Sequence, residues 1–302
     1  MKKKAPKSVN SLVKLHQALG MPAPLHPLVS ISNFYEAEAG EELAEGVLLN
    51  FYQISLKEYF DGSIKYGQTQ YDFDGGGLLF TAPNQLLASG GDEEECEGPT
   101  LIFHPDFLKG NELSTRIKTY GFFTYNANEA LQLSAKERQV VKNIFQNIHD
   151  ELEQRIDHFS QNVIINQISL LLSYSERFYE RQFITRKPVN NDLLTKMEQL
   201  LDAYFKDNRS LSQGVPTVQY LANQLALSSG YLSDMLRSLT GMNAQQHIHQ
   251  KVVEQAKILL SENRLSISEI AFQLGFEHPQ SFSKFFRNKT ALSPNEYRSS
   301  LC

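Results

Sequence analysis

Residues 266–298 carry the pattern that most restricts how this chain can fold, because they describe two short helices joined by a tight turn. Ser266 and Glu269 fit a capping box, in which the hydroxyl accepts from a backbone amide and the carboxylate reaches back to the first residue. Gly275 can adopt the left-handed conformation that ends a helix, and Pro279 suits the first turn of the next one. The stretch therefore predicts a helix-turn-helix.

The second of these helices has an apolar and a polar face. Phe282, Phe285 and Phe286 recur at helical spacing and are expected to face a core. The opposite face is polar and basic, and the major groove of DNA could receive it. That face comprises Gln280, Ser281, Ser283, Lys284 and Arg287.

The same pattern is written twice in the C-terminal part of the chain. VQYLANQLALSSGYLSDMLRSLTG, residues 218–241, aligns with ISEIAFQLGFEHPQSFSKFFRNKTA, residues 267–291, and a long predicted helix at about residues 244–261 lies between them. Two such units on one connecting helix could enter two successive major-groove segments, which lie roughly 34 Å apart along the duplex. The sequence thus predicts a domain with two helix-turn-helix motifs.

This region resembles the DNA-binding domain of the AraC/XylS family of transcription regulators over about residues 193–299. The resemblance is carried by spaced landmarks rather than by composition. They are Ala256-x-x-Leu259-Leu260, Ser268-Glu269-Ile270-Ala271, Gly275-Phe276, Phe282-x-x-x-Phe286-Arg287 and Leu292-Ser293-Pro294-x-x-Tyr297-Arg298. The resemblance implies a sequence-specific regulator that binds double-stranded promoter DNA and biases the recruitment of RNA polymerase, either as an activator or as a repressor.

Ten residues are expected to contact DNA. In the second unit, Gln280 can pair with adenine and Lys284 with guanine, while Arg287 and Lys289 suit phosphates. In the first unit, Asp234 repels phosphate, so direct base reading there rests on its neighbours. The full set is Ser229, Gly230, Ser233 and Arg237 in the first unit, and His278, Gln280, Ser281, Lys284, Arg287 and Lys289 in the second.

One further departure from the family pattern concerns a turn. Ala291 stands where the family usually has glycine before the Leu-Ser-Pro sequence. A side chain at this position is expected to strain the turn, since only glycine adopts the left-handed conformation freely.

The N-terminal half has a β-type pattern followed by a helical one. Residues 28–124 contain short aromatic and β-branched runs separated by Gly and Pro turns, which predict a small antiparallel barrel or jelly roll. Ser134 and Glu137 then form a second capping box before a helix, and an apolar segment follows at residues 163–174. Its apolar surface favours a homodimer over packing within one chain.

Together these patterns predict an α+β chain in four parts. They are a flexible N-terminal arm at residues 1–27, a cupin-like antiparallel β-barrel with a helical dimerisation pair at 28–185, a linker at 186–191, and an all-α domain with two helix-turn-helix motifs at 192–302. The cupin-like character and the sensing of a small-molecule effector are what the family resemblance implies.

Aromatic residues of the β region could line an effector pocket, although aromatic stripes in strands more often form a core. They are Phe51, Tyr52, Tyr66, Tyr71, Phe73, Phe80 and Phe103. His26 and His104 stand alone, without the His-x-His pair and carboxylate of a metal-binding cupin. No metal site, cofactor or catalytic group is therefore expected, and the protein is not expected to be an enzyme.

Charge and composition set further limits. The 302-residue chain has a net charge of −5, but residues 191–302 contain 11 Lys and Arg against 10 Asp and Glu, which leaves 18 against 24 for residues 1–190. DNA binding must therefore rest on a few placed contacts and on dimerisation.

The chain shows no sign of a membrane or secretory context. No apolar run approaches the roughly 20 residues that span a bilayer, and the basic first residues lack a signal-peptide core. Cys96 and Cys302 are the only cysteines. These features predict a cytoplasmic protein without membrane contact.

Two alternatives remain open from the sequence. The first is a cupin-type metalloenzyme with an accessory DNA-binding tail, which bound iron or zinc would indicate. The second is a ligand-independent regulator controlled by a partner protein, which an aromatic-filled barrel interior would favour.

Overall fold

The structure is a computed structural model that forms two compact units, Met1–Gln182 and Phe183–Cys302. The residues that it describes are 7–32, 47–57, 64–66, 69–71, 76–87, 98–126, 129–154, 157–262 and 264–301.

The first unit is built around β-strands, and the described strands pair antiparallel except for one parallel pair. Its strands are β1 (Lys7–Val9), β2 (Val29–Ser32), β3 (Val47–Leu49), β4 (Tyr52–Lys57), β5 (Ile64–Tyr66), β6 (Thr69–Tyr71), β7 (Gly77–Thr81), β8 (Gln85–Leu87), β9 (Thr100–Phe103) and β10 (Leu131–Gln132). The main sheet has the order β10-β7-β4-β9-β2, with every neighbouring pair antiparallel. A second sheet has the order β1-β3-β8, in which β1 and β3 are the parallel pair, and β5 pairs with β6.

The main sheet is open across the described strands. Its edges, β2 and β10, do not pair with each other there, and β10 contributes only two residues before the chain enters the next helix. A barrel requires its two edge strands to meet. The antiparallel sheet is thus as predicted, whereas the expected barrel closure is not seen.

One face of the main sheet, the apolar face, supplies the core of the unit. Tyr52 and Phe103 stack at a centroid distance of 5.3 Å, and Phe80 contacts Phe122 at 4.5 Å. Tyr179 from the long C-terminal helix of the unit stacks on Phe122 at 5.6 Å. The strand residues on this face are Tyr52, Ile54, Leu56, Leu78, Phe80, Leu101 and Phe103, all of them buried.

Helices follow the strands of the first unit, as the periodicity predicts. The unit contains α1 (Leu12–Ala18), α2 (Leu113–Arg116), α3 (Ala135–Glu153) and most of α4 (Ser160–Thr185). The capping box of Ser134 and Glu137 is confirmed at the start of α3. Arg181 of α4 donates to both carboxylate oxygens of Glu137 and to the carbonyl of Gln132, so α4 is tied to α3 and to β10.

The N-terminal arm departs from the prediction. Residues 7–27, expected to be flexible, contain β1 and α1, and Leu12 and Leu15 of α1 are buried. They pack with Phe51 and Ile102 of the main sheet region, so burial of apolar side chains fixes the segment in place.

The second unit is helical throughout its described residues. It contains the end of α4, then α5 (Lys187–Lys206), α6 (Ser210–Gln213), α7 (Val218–Gln224), α8 (Ser229–Thr240), α9 (Ala244–Ser261), α10 (Ile267–Gln273), α11 (Pro279–Thr290) and α12 (Pro294–Ser299). Among the described residues, no helix is long and apolar enough to cross a membrane.

The expected linker at residues 186–191 also departs from the prediction. Residues 187–191 lie in the first turns of α5. A proline within the first turn of a helix breaks no hydrogen bond, because the first amides have no partner in the helix. Asn190 further secures this turn, since its side-chain amide donates to the carbonyl of Phe183 at 2.8 Å.

Candidate nucleic-acid interface

The second helix-turn-helix has the local geometry that its sequence predicts. Ser266 accepts from the amide of Glu269 at 3.2 Å, and Glu269 accepts from the amide of Ser266 at 2.7 Å. This reciprocal bonding holds the pKa of Glu269 below its usual range, because the hydroxyl and amide of Ser266 both donate to the ionised carboxylate. Helix α10 is therefore anchored at its first residue.

The turn after α10 is shaped by two glycines. Gly275 has φ +91°, which confirms the left-handed conformation. A Cβ built on Gly275 would lie 2.6 Å from the amide nitrogen of Val215 and 2.7 Å from the carbonyl oxygen of Gly214. Ser210 donates to the carbonyl of Gln273 at 2.6 Å, and this bond ties helix α6, which ends just before Gly214, to the end of α10. The position thus requires glycine both for its φ and for space.

The recognition helix of this unit, α11, presents two different faces. Phe282 and Phe286 are fully buried in a core with Ala256, Leu260 and Ile270. The residues predicted to contact DNA in this motif are all exposed, and Gln280, Lys284 and Arg287 lie opposite the buried Phe282 and Phe286. The others are His278, Ser281 and Lys289.

Phe285 was expected in the core, but it is only partly buried. Its ring contacts His249 of α9 at a centroid distance of 5.2 Å and Phe276 at 5.5 Å. The helical period places Phe285 at the edge of the apolar stripe, where it fills the space between α11 and α9. Because sequence periodicity gave no reason to link His249 with the recognition helix, the interpretation missed this neighbour.

The first helix-turn-helix repeats the arrangement with different side chains. Thr217 caps α7 and Ser228 caps α8 through hydrogen bonds to amides three residues on. Tyr231, Leu232, Met235 and Leu236 of α8 are buried. Ser233 and Gly230 are half-buried and Arg237 is exposed. Predicted contacts of this unit are thus also accessible, although less fully than those on α11.

Two predicted contacts of the first unit already have protein partners. Arg237 donates from Nη1 to Oδ1 of Asp234 at 2.6 Å, and the Arg237 side chain remains 56% exposed. Ser229 donates to Oε1 of Gln219 at 3.0 Å. Gln219, on the preceding helix, was missed by the sequence interpretation. Asp234 is therefore compensated by Arg237, and the face of α8 is less basic than that of α11.

The turns of the two units differ at matching positions. Ala226 has φ +56° where the second unit has Gly275, and Ala291 has φ +65° where the first unit has Gly241. A residue with a Cβ is strained in this conformation. Ala291, where strain is expected, thus has a left-handed backbone, and Ala226 has the same conformation.

Helix α9 joins the two units and is capped at its start. Asn243 and Gln246 form a capping box, with the two reciprocal bonds at 2.8 and 2.9 Å. Ile248, Val252, Ala256 and Leu260 face inward. Lys251 pairs with Asp202 of α5 and with Glu254. The 18-residue helix therefore forms a braced connection between the units.

The aromatic residues proposed to line an effector pocket do not share one surface. Tyr52, Phe80 and Phe103 pack in the core on the apolar face, whereas Phe51 lies under α1. Tyr66 and Tyr71 belong to β5 and β6, and Phe73 lies outside the described residues. The described side chains thus belong to two separate parts of the core.

The isolated histidines have structural partners. His104 Nδ1 accepts from the amide of Asp106, and its Nε2 is hydrogen-bonded to Asn50 at 3.3 Å. His26 Nδ1 accepts from the amide of Leu28, and burial lowers the pKa of His26. The described part of the chain contains no group of three or more His, Cys, Asp or Glu arranged to hold a metal ion.

Parts of this chain are similar to known proteins. A family model described as a helix-turn-helix domain matches residues 221–300. A domain of known structure, the C-terminal domain of the two-component response regulator yesN from Fusobacterium nucleatum, is 36% identical, and the match covers 33% of this chain and 96% of that one, with a TM-score of 0.30.

Curated relatives match over limited regions. The Msm operon regulatory protein of Streptococcus mutans is 35% identical over 81 residues, which are 27% of this chain and 29% of that protein. An uncharacterized HTH-type transcriptional regulator of Staphylococcus aureus is 25% identical over 150 residues, or 50% of this chain. This match spans only 18% of the length of that relative.

Proposed function

We propose that this chain, whose residues 221–300 match a helix-turn-helix family model, is a transcription regulator of the AraC/XylS type that binds promoter DNA in a sequence-specific manner. The observation that carries the proposal is the row of exposed polar and basic side chains on α11 above a buried Phe282 and Phe286. Hydrogen-bonding side chains on a rigid helix suit direct reading of base edges in a major groove.

The two helix-turn-helix motifs read two successive segments of the major groove. Helix α9 is an 18-residue helix that spans about 27 Å at 1.5 Å per residue, which is of the order of one turn of DNA. The second helix-turn-helix supplies most of the base reading, through Gln280 and Lys284. The first helix-turn-helix adds phosphate contacts from Arg237 and hydrogen bonds from Ser229, Gly230 and Ser233.

We assign dimerisation to the N-terminal unit, Met1–Gln182. Helix α4 and the residue before it expose Phe159, Val163 and Leu170, whose side chains are 60%, 40% and 45% accessible. Val163 and Leu170 are seven residues apart and therefore lie on the same side of the helix. An isologous contact between two such helices would bury them. A dimer would also supply the affinity that a near-neutral domain lacks.

The remaining parts of the proposal concern regulation. The N-terminal unit senses a small-molecule effector, and binding of that effector changes how the two helix-turn-helix motifs engage promoter DNA and RNA polymerase. An effector can shift this equilibrium only if it binds the two states with different affinity.

Selection of bound sequences from random DNA tests the central proposal. The expected product is a site with two conserved elements about 10 base pairs apart, protected from cleavage as two adjacent major-groove segments. Selection of one element only would contradict two-segment reading, and failure to enrich any sequence would contradict the proposed function. Sedimentation equilibrium of wild type and Leu170→Glu separately tests the dimer, which the substitution should dissociate.

A further inference from the structure

Three polar side chains connect the two helices of the first helix-turn-helix. Ser229, the first residue of α8, donates its hydroxyl proton to Oε1 of Gln219 on α7 at 3.0 Å. The Nε2 group of Gln219 donates in turn to Oδ1 of Asn223 at 2.7 Å. We call Ser229, Gln219 and Asn223 the polar triplet. Its hydrogen bonds determine the direction in which the hydroxyl of Ser229, a predicted DNA contact, donates.

The polar triplet is not what holds α8 in place. The cap of α8 is Ser228, whose hydroxyl accepts from the amide of Tyr231 at 3.1 Å. Leu232 and Leu236 are fully buried, so apolar packing secures the helix. A hydrogen bond at the surface adds little to stability, because water competes for both partners. The bond from Ser229 to Gln219 gains importance only where water is removed, as it is at an interface with DNA.

Ser229 lies at the end of α8 that is suited to reach the bases. The N-terminal residues of a recognition helix are the ones that contact base edges in the major groove. Ser229 is half-buried, and Gly230, the next residue, has no side chain that would keep a base away from it. Gln219 is exposed. The two partners of this hydrogen bond are thus both accessible at the start of the recognition helix.

The direction of this hydrogen bond limits which bases Ser229 can contact. A serine hydroxyl has one proton and two acceptor lone pairs. With its proton donated to Gln219, Ser229 can only accept a hydrogen bond from another molecule. In the major groove the donors are the amino groups of adenine and cytosine, whereas guanine and thymine present acceptors. An unconstrained serine would contact either kind of base edge.

The second helix-turn-helix does not repeat this arrangement. Pro279 is the first residue of α11, as Ser229 is of α8, and its side chain has no hydrogen-bonding atom. Ser268 is the second residue of α10, the position that Gln219 has in α7. The polar triplet therefore gives the first motif a way of reading DNA that the second motif lacks.

We propose that Gln219 is a positioning residue for base recognition, which holds the proton of Ser229 so that Ser229 accepts a hydrogen bond from the amino group of an adenine or a cytosine. Asn223 acts one step further back, because its Oδ1 keeps the amide of Gln219 oriented with Oε1 toward Ser229. A reversed Gln219 amide would set the oxygens of Gln219 and Asn223 against each other. The inference rests on the proposed function, since it assigns a base preference within the proposed reading of DNA.

Binding of the full chain to single-base variants of the selected DNA site tests the inference. The position that Ser229 contacts is the one where Ser229→Ala loses base discrimination. There the wild type should bind adenine or cytosine about three- to tenfold more tightly than guanine or thymine, which is the range of one hydrogen bond. Gln219→Leu should reduce this preference to about twofold or less, because the released hydroxyl can then donate as well as accept. Its preferences at the other positions should not change.

Further variants separate the direction of the hydrogen bond from a general loss of contact. Gln219→Glu retains an oxygen that accepts from Ser229, so it should keep the preference for adenine or cytosine, although its negative charge weakens binding to all sequences. Gln224→Leu makes the same exchange on α7 at a residue outside the polar triplet and should bind as the wild type does. The Tm of Gln219→Leu should lie within about 2 °C of the wild-type value, as expected for a change at the surface.

A preference for guanine or thymine at the Ser229 position would overturn the inference, because it would show that the hydroxyl donates. An unchanged preference in Gln219→Leu would also overturn it, as would a loss of affinity in that variant that is equal for all sequences, or a large fall in its Tm. Wild-type discrimination by Ser229→Ala at every position would do the same. In all these cases the wild type still selects a DNA site, so the proposed function stands. A wild type that selects no sequence would instead refute the proposed function, and the inference with it.

Discussion

Gly275, at the turn of the second helix-turn-helix, lies directly against the backbone of Gly214, so that a Cβ on Gly275 would come within 2.7 Å of the Gly214 carbonyl oxygen. The chain that precedes the first helix-turn-helix therefore touches the turn of the second. Tyr204 supports this contact from α5, since its hydroxyl donates to the same carbonyl at 2.9 Å. Folding of the second helix-turn-helix consequently depends on residues far before it in sequence.

Replacement of this glycine should be severely destabilising. Gly275→Ala would strain the left-handed backbone and force a side chain into the Gly214 backbone, so we expect a loss of about 3 kcal/mol or more in the free energy of unfolding. Gly241→Ala is the matched control, because Gly241 has φ +77° but a Cβ at that position would meet nothing within 4 Å. It should lose only about 1 kcal/mol. Equal losses in urea unfolding would contradict the packing role.

Substitution of the strained alanine should act in the opposite direction. Ala291 is exposed and has φ +65°, so Ala291→Gly removes strain and breaks no packing. The gain is partly offset by the greater freedom of glycine in the unfolded chain. We expect about 0.5–1 kcal/mol of stabilisation by urea unfolding, with Ala244→Gly, in a buried helical position, destabilising as its control. A destabilising Ala291→Gly would refute the strain.

The pair on α8 predicts a gain in DNA affinity. Asp234→Asn would remove the negative charge and release Arg237 for a phosphate, and it should strengthen binding on the order of tenfold at low salt. The salt dependence should become steeper by about one unit. Asp192→Asn makes the same charge change on α5, which carries no predicted DNA contact, and should leave both quantities nearly unchanged. Weaker binding of Asp234→Asn would instead indicate that the acid reads a base.

Two residues of α11 should fail in different ways. Lys284→Ala should relax specificity at one base position by about 1–3 kcal/mol, because Lys284 is assigned to a base edge. Arg287→Ala should weaken binding evenly across sequences and lower the salt slope by about one. Binding measurements on single-base variants of the selected site distinguish these outcomes, and Lys196→Ala on α5 is the control. The same effect from both changes would contradict the assignment.

Low pH should destabilise the C-terminal unit through protonation of His249. Burial, and then the charge of Lys289, lower the pKa of His249 below its ordinary value of 6.5. The unfolded chain therefore binds the proton more readily than the folded one, so stability is full above about pH 6.5 and is lost as pH falls toward the folded pKa. Gln245 and Phe285 are its other neighbours. His249→Gln should flatten this dependence in urea unfolding between about pH 5 and 8; an unchanged profile would exclude His249 as its source.

The C-terminal unit was the more predictable of the two compact units, because the sequence patterns that mark its helices are local. Ser266 and Glu269 define a helix start within four residues, and Gly275 marks its end, so no distant contact is needed to recognise them. The position of Phe285 was not predictable in this way, because helical spacing alone does not distinguish a core position from the edge of the apolar stripe. It depends on α9, through the contact of Phe285 with His249.

The N-terminal unit was less predictable, because its surfaces arise from the pairing of strands that are distant in sequence. Ser55 and Thr100 are far apart in sequence and meet only through the register of β4 and β9. This polar side of the main sheet, opposite its apolar face, therefore could not be predicted from any single strand, whereas the aromatic residues of the apolar face are conspicuous in the sequence. Helix α1 was likewise missed, since Leu12 and Leu15 are explained only by their contact with Ile102.

The connecting helix α9 limits how the binding specificity of this protein can change in evolution. Inserting one residue into a helix advances everything beyond it by about 1.5 Å and turns it by about 100°, because a helix has 3.6 residues per turn. A single insertion would thus rotate the second helix-turn-helix away from the side on which the first is proposed to read DNA. Under the proposed reading of two groove segments, exchanging side chains on α8 and α11 would give new target sites, but the distance between the two elements of a site would be inherited unchanged.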